Sequence, residues 1–474
     1  MQNSERIWQL VDVRKDQYEA LSDRIWDQPE IAYNEYAAVA EHTAMLEAEG
    51  FRITRDLAGI PTAVMGEAGE EGPVIAILGE YDALPGLSQE AGVAEPRPLP
   101  GDGMGHGCGH NLLGSGALLA AAAVKDWLAE NGIKGRVRYY GCPAEEGGAA
   151  KAFMVREGCF DDVDIAITWH SMPFAGVNDA MSLANARMDF TFIGRASHAA
   201  ASPHLGRSGL DAVELMNVGV NYMREHMASD SRIHYALLDA GGVAPNVVQA
   251  RATVRYLVRA RTLPEMTTLL ERVKNVARGA ALMTETRVEM AMVSSVSNLV
   301  GNTPLDKTMH ANFERLGPPP FDAEDRDFAT QIRATLSDED IATQYRRAGL
   351  PIRKDQPLAD FIVPLGLRGE AMLGSTDVGD VSWKVPLVQA DGATIAIGTP
   401  FHSWQLTAQG KSPLAKKGMV HVAKVMAGTA IDAIANPDLI AAAKADLADR
   451  IRDTPYVPPM TADVMPPIQR RREG

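Results

Sequence analysis

The sequence predicts an α/β fold with a mostly parallel sheet, interrupted by a second unit of βαββαβ order. Two observations point to this, and a third sets the number of domains. Short continuous apolar runs such as VIAIL (Val74–Leu78) alternate with helical stretches, the pattern of strands buried on both faces. Between residues 185 and 298 the order changes to strand, helix, strand, strand, helix, strand, which makes a two-layer antiparallel sandwich complete in itself. The 474 residues exceed what one hydrophobic core usually supports. The expected division is therefore 1–184 and 299–474 for one domain and 185–298 for a domain inserted into it.

The elements follow in order. Apolar spacing over Ser4–Gly50 predicts two helices split near Pro29. Val74–Leu78 is the first buried strand and runs into GEYDALPG. After the turn GHGCGHN (105–111), Leu112–Asn131 is Ala- and Leu-rich and reads as a long helix ended by Gly132. Arg136–Tyr140 is a strand halted by GCP, and Glu145-Glu146 follow at once; then come a helix Ala150–Arg156 and a strand Ile165–Trp169 that delivers His170. In the second unit the expected strands are Met188–Gly194, Ile233–Leu238, Val247–Val258 and Arg287–Val293, with helices Gly209–Met227 and Glu265–Met283. After Pro304 the sequence is helical, then irregular over 318–364. It closes with a strand Thr394–Ile397 that delivers His402, a helix Leu414–Ile434 and a Pro-rich tail.

Composition narrows the function. Lys and Arg number 46 against 61 Asp and Glu, a net charge of −15 that disfavours nucleic acid and anionic membrane as partners. Three cysteines (Cys108, Cys142, Cys159) imply no disulfide framework, and a cytoplasmic location is expected. The N-terminal residues lack a basic start followed by an apolar core, so no signal peptide is expected. No uninterrupted apolar stretch reaches the ~18 residues needed to span a membrane.

The chemistry gathers at predicted strand ends: Glu80 and Asp82, Glu145 and Glu146, His170, and His402, together with Cys108 and His110 in the glycine-rich turn. Ligands in open α/β sheets bind outside the carboxyl ends of strands. Sulfur with imidazole is a ligand set that borderline divalent metals prefer, and glycines let neighbouring side chains converge. The set exceeds what one tetrahedral ion needs, so two ions are expected, about 3.5–4 Å apart with a shared ligand. A carboxylate left free of metal could carry a proton from water to a leaving nitrogen, which suits one member of the adjacent glutamates. Each residue alone has an ordinary reading as a loop histidine, a solvated glutamate pair or a core cysteine. Their coincidence at strand ends is what carries the site. A thiol redox protein is disfavoured by the lack of C-x-x-C, and a zinc nucleobase deaminase by the lack of P-C-x-x-C.

The motifs GEYDALPG, GHGCGHNLLG, GCPAEEGG, TWHS, GRASHAA, GGVAPNVV and GSTDVGDVSW together resemble the metallopeptidase family of aminoacylases and glutamate carboxypeptidases (peptidase family M20), in its amidohydrolase branch. The resemblance spans nearly the whole chain. It implies a metallo-exopeptidase-like catalytic domain with an inserted lid and dimerisation domain. It also implies two divalent ions, Mn2+ or Zn2+, on Cys108, His110, Glu146, His170 and His402, with Cys108 bridging. Glu145 would be the general base and acid, His198 the oxyanion stabiliser reaching across a dimer interface, and Asn246 and Arg259 the carboxylate grip. From the residues alone, His198 reads equally as an exposed loop histidine and Arg259 as a surface arginine. Many family members carry His-x-Asp after the first strand; here Glu80 stands in the His position, as in the amidohydrolase branch, leaving Glu80 and Asp82 to orient ligands. His106 and Asp377 neighbour the site without an assigned role.

The expected reaction is hydrolysis of the amide of an N-acyl or N-aroyl amino acid, foremost p-aminobenzoyl-glutamate. The alternatives are another N-acyl amino acid or dipeptide, or a non-catalytic subunit of a hetero-oligomeric hydrolase. A homodimer, or a heterodimer with a related chain, is expected.

Overall fold

A computed structural model describes residues 2–367, 369–370 and 374–468. Its strands are β1 (Arg52–Arg55), β2 (Val64–Glu70), β3 (Val74–Glu80), β4 (Gly135–Cys142), β5 (Ile165–Met172), β6 (Gly176–Val177), β7 (Ala184–Ile193), β8 (Arg232–Asp239), β9 (Arg251–Ala260), β10 (Arg287–Val296) and β11 (Leu387–Ala393). They form two sheets, one seven-stranded in the order β1-β2-β4-β3-β5-β11-β6 and one four-stranded in the order β10-β7-β9-β8.

In the larger sheet β4, β3, β5 and β11 run parallel, so their carboxyl ends share one edge. The flanking strands β1, β2 and β6 are antiparallel. Every residue of β3 is buried, because both faces of the sheet are covered. Ile75 and Ile77 pack with the helices His110–Asn131 and Pro413–Ile434 on one side. Val74, Ala76 and Leu78 pack with Phe153 and Met154 of the helix Ala150–Arg156 on the other. The helix His110–Asn131 is long and apolar enough to cross a membrane, but 83% of its most apolar window is buried inside the protein. It lies close on the sheet: a Cβ at Gly114 would come 2.6 Å from the Glu80 carbonyl oxygen, so only glycine permits the contact.

The smaller sheet is antiparallel throughout. On β7, Ala184, Ala186, Met188, Phe190 and Phe192 face the helices Gly209–Met223 and Leu263–Met283 in a separate apolar cluster. Asn185, Arg187 and Asp189 alternate onto the opposite face. The chain leaves the large sheet after β6 and returns to it with β11.

Several elements differ from expectation. The N-terminal segment holds three helices, Gln2–Asp12, Lys15–Asp27 and Tyr36–Ala48. The extra break, at Val13-Arg14, carries neither Pro nor Gly to signal it. Residues 247–250 are not strand: Val247 bridges His198 instead, and β9 begins at Arg251. The strand before His402 is Leu387–Ala393, not Thr394–Ile397. Its Gln389 and Asp391 mask an otherwise apolar run, and Asp391 is held by Asn178 at 2.8 Å. The irregular stretch 318–364 contains helices Ala323–Arg333 and Asp338–Arg347, each opened by a capping box, from Asp322 and from Ser337. The helix Pro437–Arg450 and the strands β1, β2 and β6 add to the elements expected from the sequence.

Leu118, with no exposed surface in the long helix, is a core residue. Leu118→Ala is expected to destabilise the protein by about 2–5 kcal/mol, against about 0.5 kcal/mol or less for a substitution at exposed Val13, read from denaturant midpoints.

Candidate metal centre

The carboxyl edge of the parallel strands gathers the predicted residues. β3 ends on Glu80, two residues before Asp82, and β5 carries His170 near its end. Beyond β4, Ala144 takes a left-handed conformation (φ 57°) and turns the chain into Glu145-Glu146. His402, also left-handed (φ 55°), follows β11, and its amide donates to the Gly107 carbonyl at 2.9 Å. The glycines of the Cys108 turn are needed for fit. A Cβ at Gly107 would meet Leu87 Cδ1 at 2.2 Å, and one at Gly109 (φ 79°) would meet Ser171 Cβ at 2.8 Å.

Three groups of potential ligand atoms lie within 4.8 Å of one another: Cys108 with His110 and His170, Cys108 with Glu146 and His402, and Glu80 with His110 and Glu145. The first two share Cys108, whose Sγ is 3.5 Å from His170 Nε2. Glu146 Oε1 is 3.2 Å from His402 Nε2, and Glu80 Oε2 is 3.3 Å from His110 Nε2. Among the described residues, His110 Nε2, Glu146 Oε1 and Glu80 Oε2 are nevertheless buried without a partner in hydrogen-bonding geometry. Buried polar atoms rarely stay unsatisfied, and orphans of this donor chemistry fit divalent cations.

Asp82 organises the cluster. Its Oδ1 accepts from His110 Nδ1 at 2.9 Å, which leaves Nε2 pointing into the site, and its Oδ2 accepts the Glu146 amide at 2.9 Å. Glu80 is not free: Lys151 Nζ, fully buried, lies 2.6 Å from Glu80 Oε1 and 2.6 Å from Asp377 Oδ1. Asp377 thereby anchors the lysine, and its Oδ2 also accepts the Lys151 amide. His106 Nε2 lies 3.1 Å from the Ile25 carbonyl; burial, aided by His110, pushes its pKa down to about 4.

Electrostatics separate the two adjacent glutamates. Burial, then Glu80, Glu146 and Asp377, raise Glu145 well above the usual carboxylate range. Against burial, His402 and His110 lower Glu146. Burial pushes the Cys108 thiol up and, with His110, pushes His170 down.

Of the residues expected from the inserted segment, His198 and Asn246 stand apart, whereas Arg259 touches a loop of the site. His198 is exposed, its Nδ1 accepts from the amides of Ala200 and Ala201, and among the described residues it makes no hydrogen bond or ion pair with the cluster. Asn246 is exposed on the loop between β8 and β9, its carbonyl accepting from Ala199. Arg259, half-buried on β9, donates from Nη1 to Ser375 Oγ at 3.2 Å. This single chain brings neither His198 nor Asn246 to the cluster that holds Cys108, His110, Glu145, Glu146, His170 and His402. Lys151 and Glu35 join the site from outside the residues that the sequence singles out. Lys151 carries a signal, a lone cation in the apolar run AAKAFMV. Glu35, whose Oε1 accepts the amides of Tyr33 and Ala144 and so props up the Glu145 turn, carries none.

The fold and this donor set define a divalent-metal-dependent amidohydrolase. Residues 76–460 match the model of peptidase family M20/M25/M40, and the chain belongs to that family. It is 44% identical to a subunit of the p-aminobenzoyl-glutamate hydrolase of Escherichia coli (strain K12), over 96% of this chain and 97% of the relative. Two solved structures share the fold. One is an aminobenzoyl-glutamate utilization protein from Klebsiella pneumoniae (TM-score 0.57, 18% identity, 88% of this chain and 96% of that one). The other is a dinuclear metal-binding family M20 peptidase from Bacillus subtilis (TM-score 0.56, 17% identity, 88% and 98%).

Removing the buried cation should be costly, because Glu80 and Asp377 would be left as unpaired buried charges. Lys151→Met is expected to destabilise the protein by about 3–5 kcal/mol, measured as a drop in the denaturation midpoint.

Proposed function

We propose that this chain hydrolyses the amide of p-aminobenzoyl-glutamate to p-aminobenzoate and glutamate. Two divalent ions, zinc or manganese, would be held by Cys108, His110 and His170 and by Cys108, Glu146 and His402. The observation that carries the reading is that the two donor triads share one sulfur. The 44% identity to the E. coli relative over almost the full length supports the substrate.

When bound, such ions supply Lewis acidity to the scissile carbonyl and lower the pKa of water. The chain's own residues do the rest. Asp82 fixes the tautomer and aim of His110. Glu145, held among other carboxylates that raise its proton affinity, takes a proton from the attacking water and delivers it to the leaving nitrogen as the C–N bond breaks. Arg259, with Asn246, grips the α-carboxylate once the antiparallel unit closes over the site. His198, remote from the cluster in one chain, steadies the developing oxyanion from a second protomer, either a copy of this chain or a related one. The E. coli relative is itself named as one subunit of a hydrolase, which supports such a partner. A reducing cytoplasm belongs to the same reading, because Cys108 must stay unoxidised to bind metal.

The metal-loaded protein is expected to release p-aminobenzoate from p-aminobenzoyl-glutamate. No release across a panel of N-acyl and N-aroyl amino acids would sink the proposal. Glu145→Gln should lower kcat by at least about 100-fold while elemental analysis shows metal content unchanged. Cys108→Ala should abolish binding at both positions, not one. The base must be ionised to act, so kcat/KM should fall on an acid limb as Glu145 is protonated, and a limb that persists in the residual activity of Glu145→Gln would exclude Glu145 as its source.

A further inference from the structure

Two arginines of the antiparallel unit touch the loops that carry the cluster and form no salt bridge among the described residues. Arg259 on β9 is in register with Asn185 on β7, two residues from Arg187 on the face turned away from the helices. Arg187 Nη1 donates to the carbonyl of Gly147 at 3.0 Å, one residue beyond Glu146. Arg259 Nη1 donates to Ser375 Oγ, two residues before Asp377. The two guanidinium groups are thus anchored on the two loops that flank the cluster.

Neither forms a salt bridge among the described residues, whereas Arg255 on the same face is neutralised by Asp189 at 2.7 Å. Among the described residues Arg259 Nε is buried with no hydrogen-bond partner. Burial lowers the pKa of both, Arg255 adding to the effect at Arg187 and Arg187 at Arg259, while Asp189 offsets part of it at Arg187. In a chain of net charge −15, two half-buried cations that form no salt bridge among the described residues, and that are held on the loops of the proposed reaction centre, call for an anion. One carboxylate fills one guanidinium fork and leaves the second unmatched. A dicarboxylate matches both.

We infer that Arg187 is a specificity-determining residue of the site proposed above. Beside Arg259, which takes the α-carboxylate, it receives the second carboxylate of an acidic amino acid, so the site selects N-acyl amino acids that carry two carboxylates. This rests on the proposed hydrolysis and adds the side-chain requirement to it. A neutral isostere such as the glutamine compound would leave Arg187 desolvated and unpaired, and that asymmetry is what makes charge discrimination large.

The test compares kcat/KM for p-aminobenzoyl-glutamate and p-aminobenzoyl-glutamine in the metal-loaded full chain, in R187Q and in R187K. The unmodified chain should prefer the glutamate compound by about 10–100-fold, the loss expected for one charge-assisted contact. R187Q should bring the ratio to within about three-fold, and R187K, which keeps a point charge without the fork, should fall between. A ratio near one in the unmodified chain overturns the inference. So does an R187Q variant that slows both substrates equally and keeps the ratio, since that would mark Arg187 as a prop for Gly147 only. If neither compound is hydrolysed, the proposed reaction fails, yet calorimetry still decides this inference. Tighter binding of N-benzoyl-glutamate than of N-benzoyl-glutamine, lost in R187Q, supports it, and equal binding overturns it.

Discussion

The structure turns on the convergence of one sulfur with two imidazole-bearing triads at the carboxyl edge of four parallel strands. Cys108 reaches that point because the backbone on either side of it carries no Cβ: Gly107 lies against Leu87, and Gly109 against Ser171. The parallel sheet supplies the other ends, since β3, β4, β5 and β11 all release their chains on the same side. A sheet buried on both faces holds those ends in place, and donor atoms from separate segments come within 4.8 Å in groups of three.

Around this point charge is arranged in layers. Asp82 ties a ring nitrogen of His110 and the backbone of Glu146 to one carboxylate, so the two triads are braced against the same group. Lys151 compensates Glu80 and Asp377 in a fully buried space. That cation lets a glutamate stay ionised in so buried a position. Lys151, shared with Asp377, offsets part of the Glu80 charge, and the other Glu80 oxygen lies 3.3 Å from His110 Nε2. Farther out, Glu35 supports the strained Ala144 turn through a single amide contact.

Much of this is legible in the sequence where the signal is local. VIAIL announces a strand buried on both faces, the Ala-rich stretch up to Gly132 announces the long helix, and ordinary ligand chemistry marks Cys108, His110, the Glu145-Glu146 pair, His170 and His402, while the resemblance to family M20 is what assigns the metal to Glu146 and the proton to Glu145. Signals fail where long-range pairing decides conformation. Val247 belongs to the apolar run of β9 by composition, but its bridge to His198 withdraws it from the strand. Leu387–Ala393 is hidden by Asp391, a buried carboxylate legible only once Asn178 is placed beside it. Glu35 sits 109 residues from the amide it supports, and nothing in its neighbourhood discloses that. The exposure of His198 and Asn246 does not follow from their flanking residues, which are small or apolar and suit a buried loop equally well.

The order of donors along the polypeptide has a consequence for biogenesis. Cys108, His110, Glu146 and His170 all emerge from the ribosome before the antiparallel unit is made, whereas β11 and His402 come after it, at residue 402 of 474. Until then the nascent sheet lacks the neighbour of β5 and presents an unpaired edge, with a half-built cluster of thiol and imidazole open to solvent. The intervening unit, with a core of its own, can fold early and shorten the effective loop that β11 must close. Maturation of this centre is therefore a late event of synthesis, gated by the return of the chain to its first sheet.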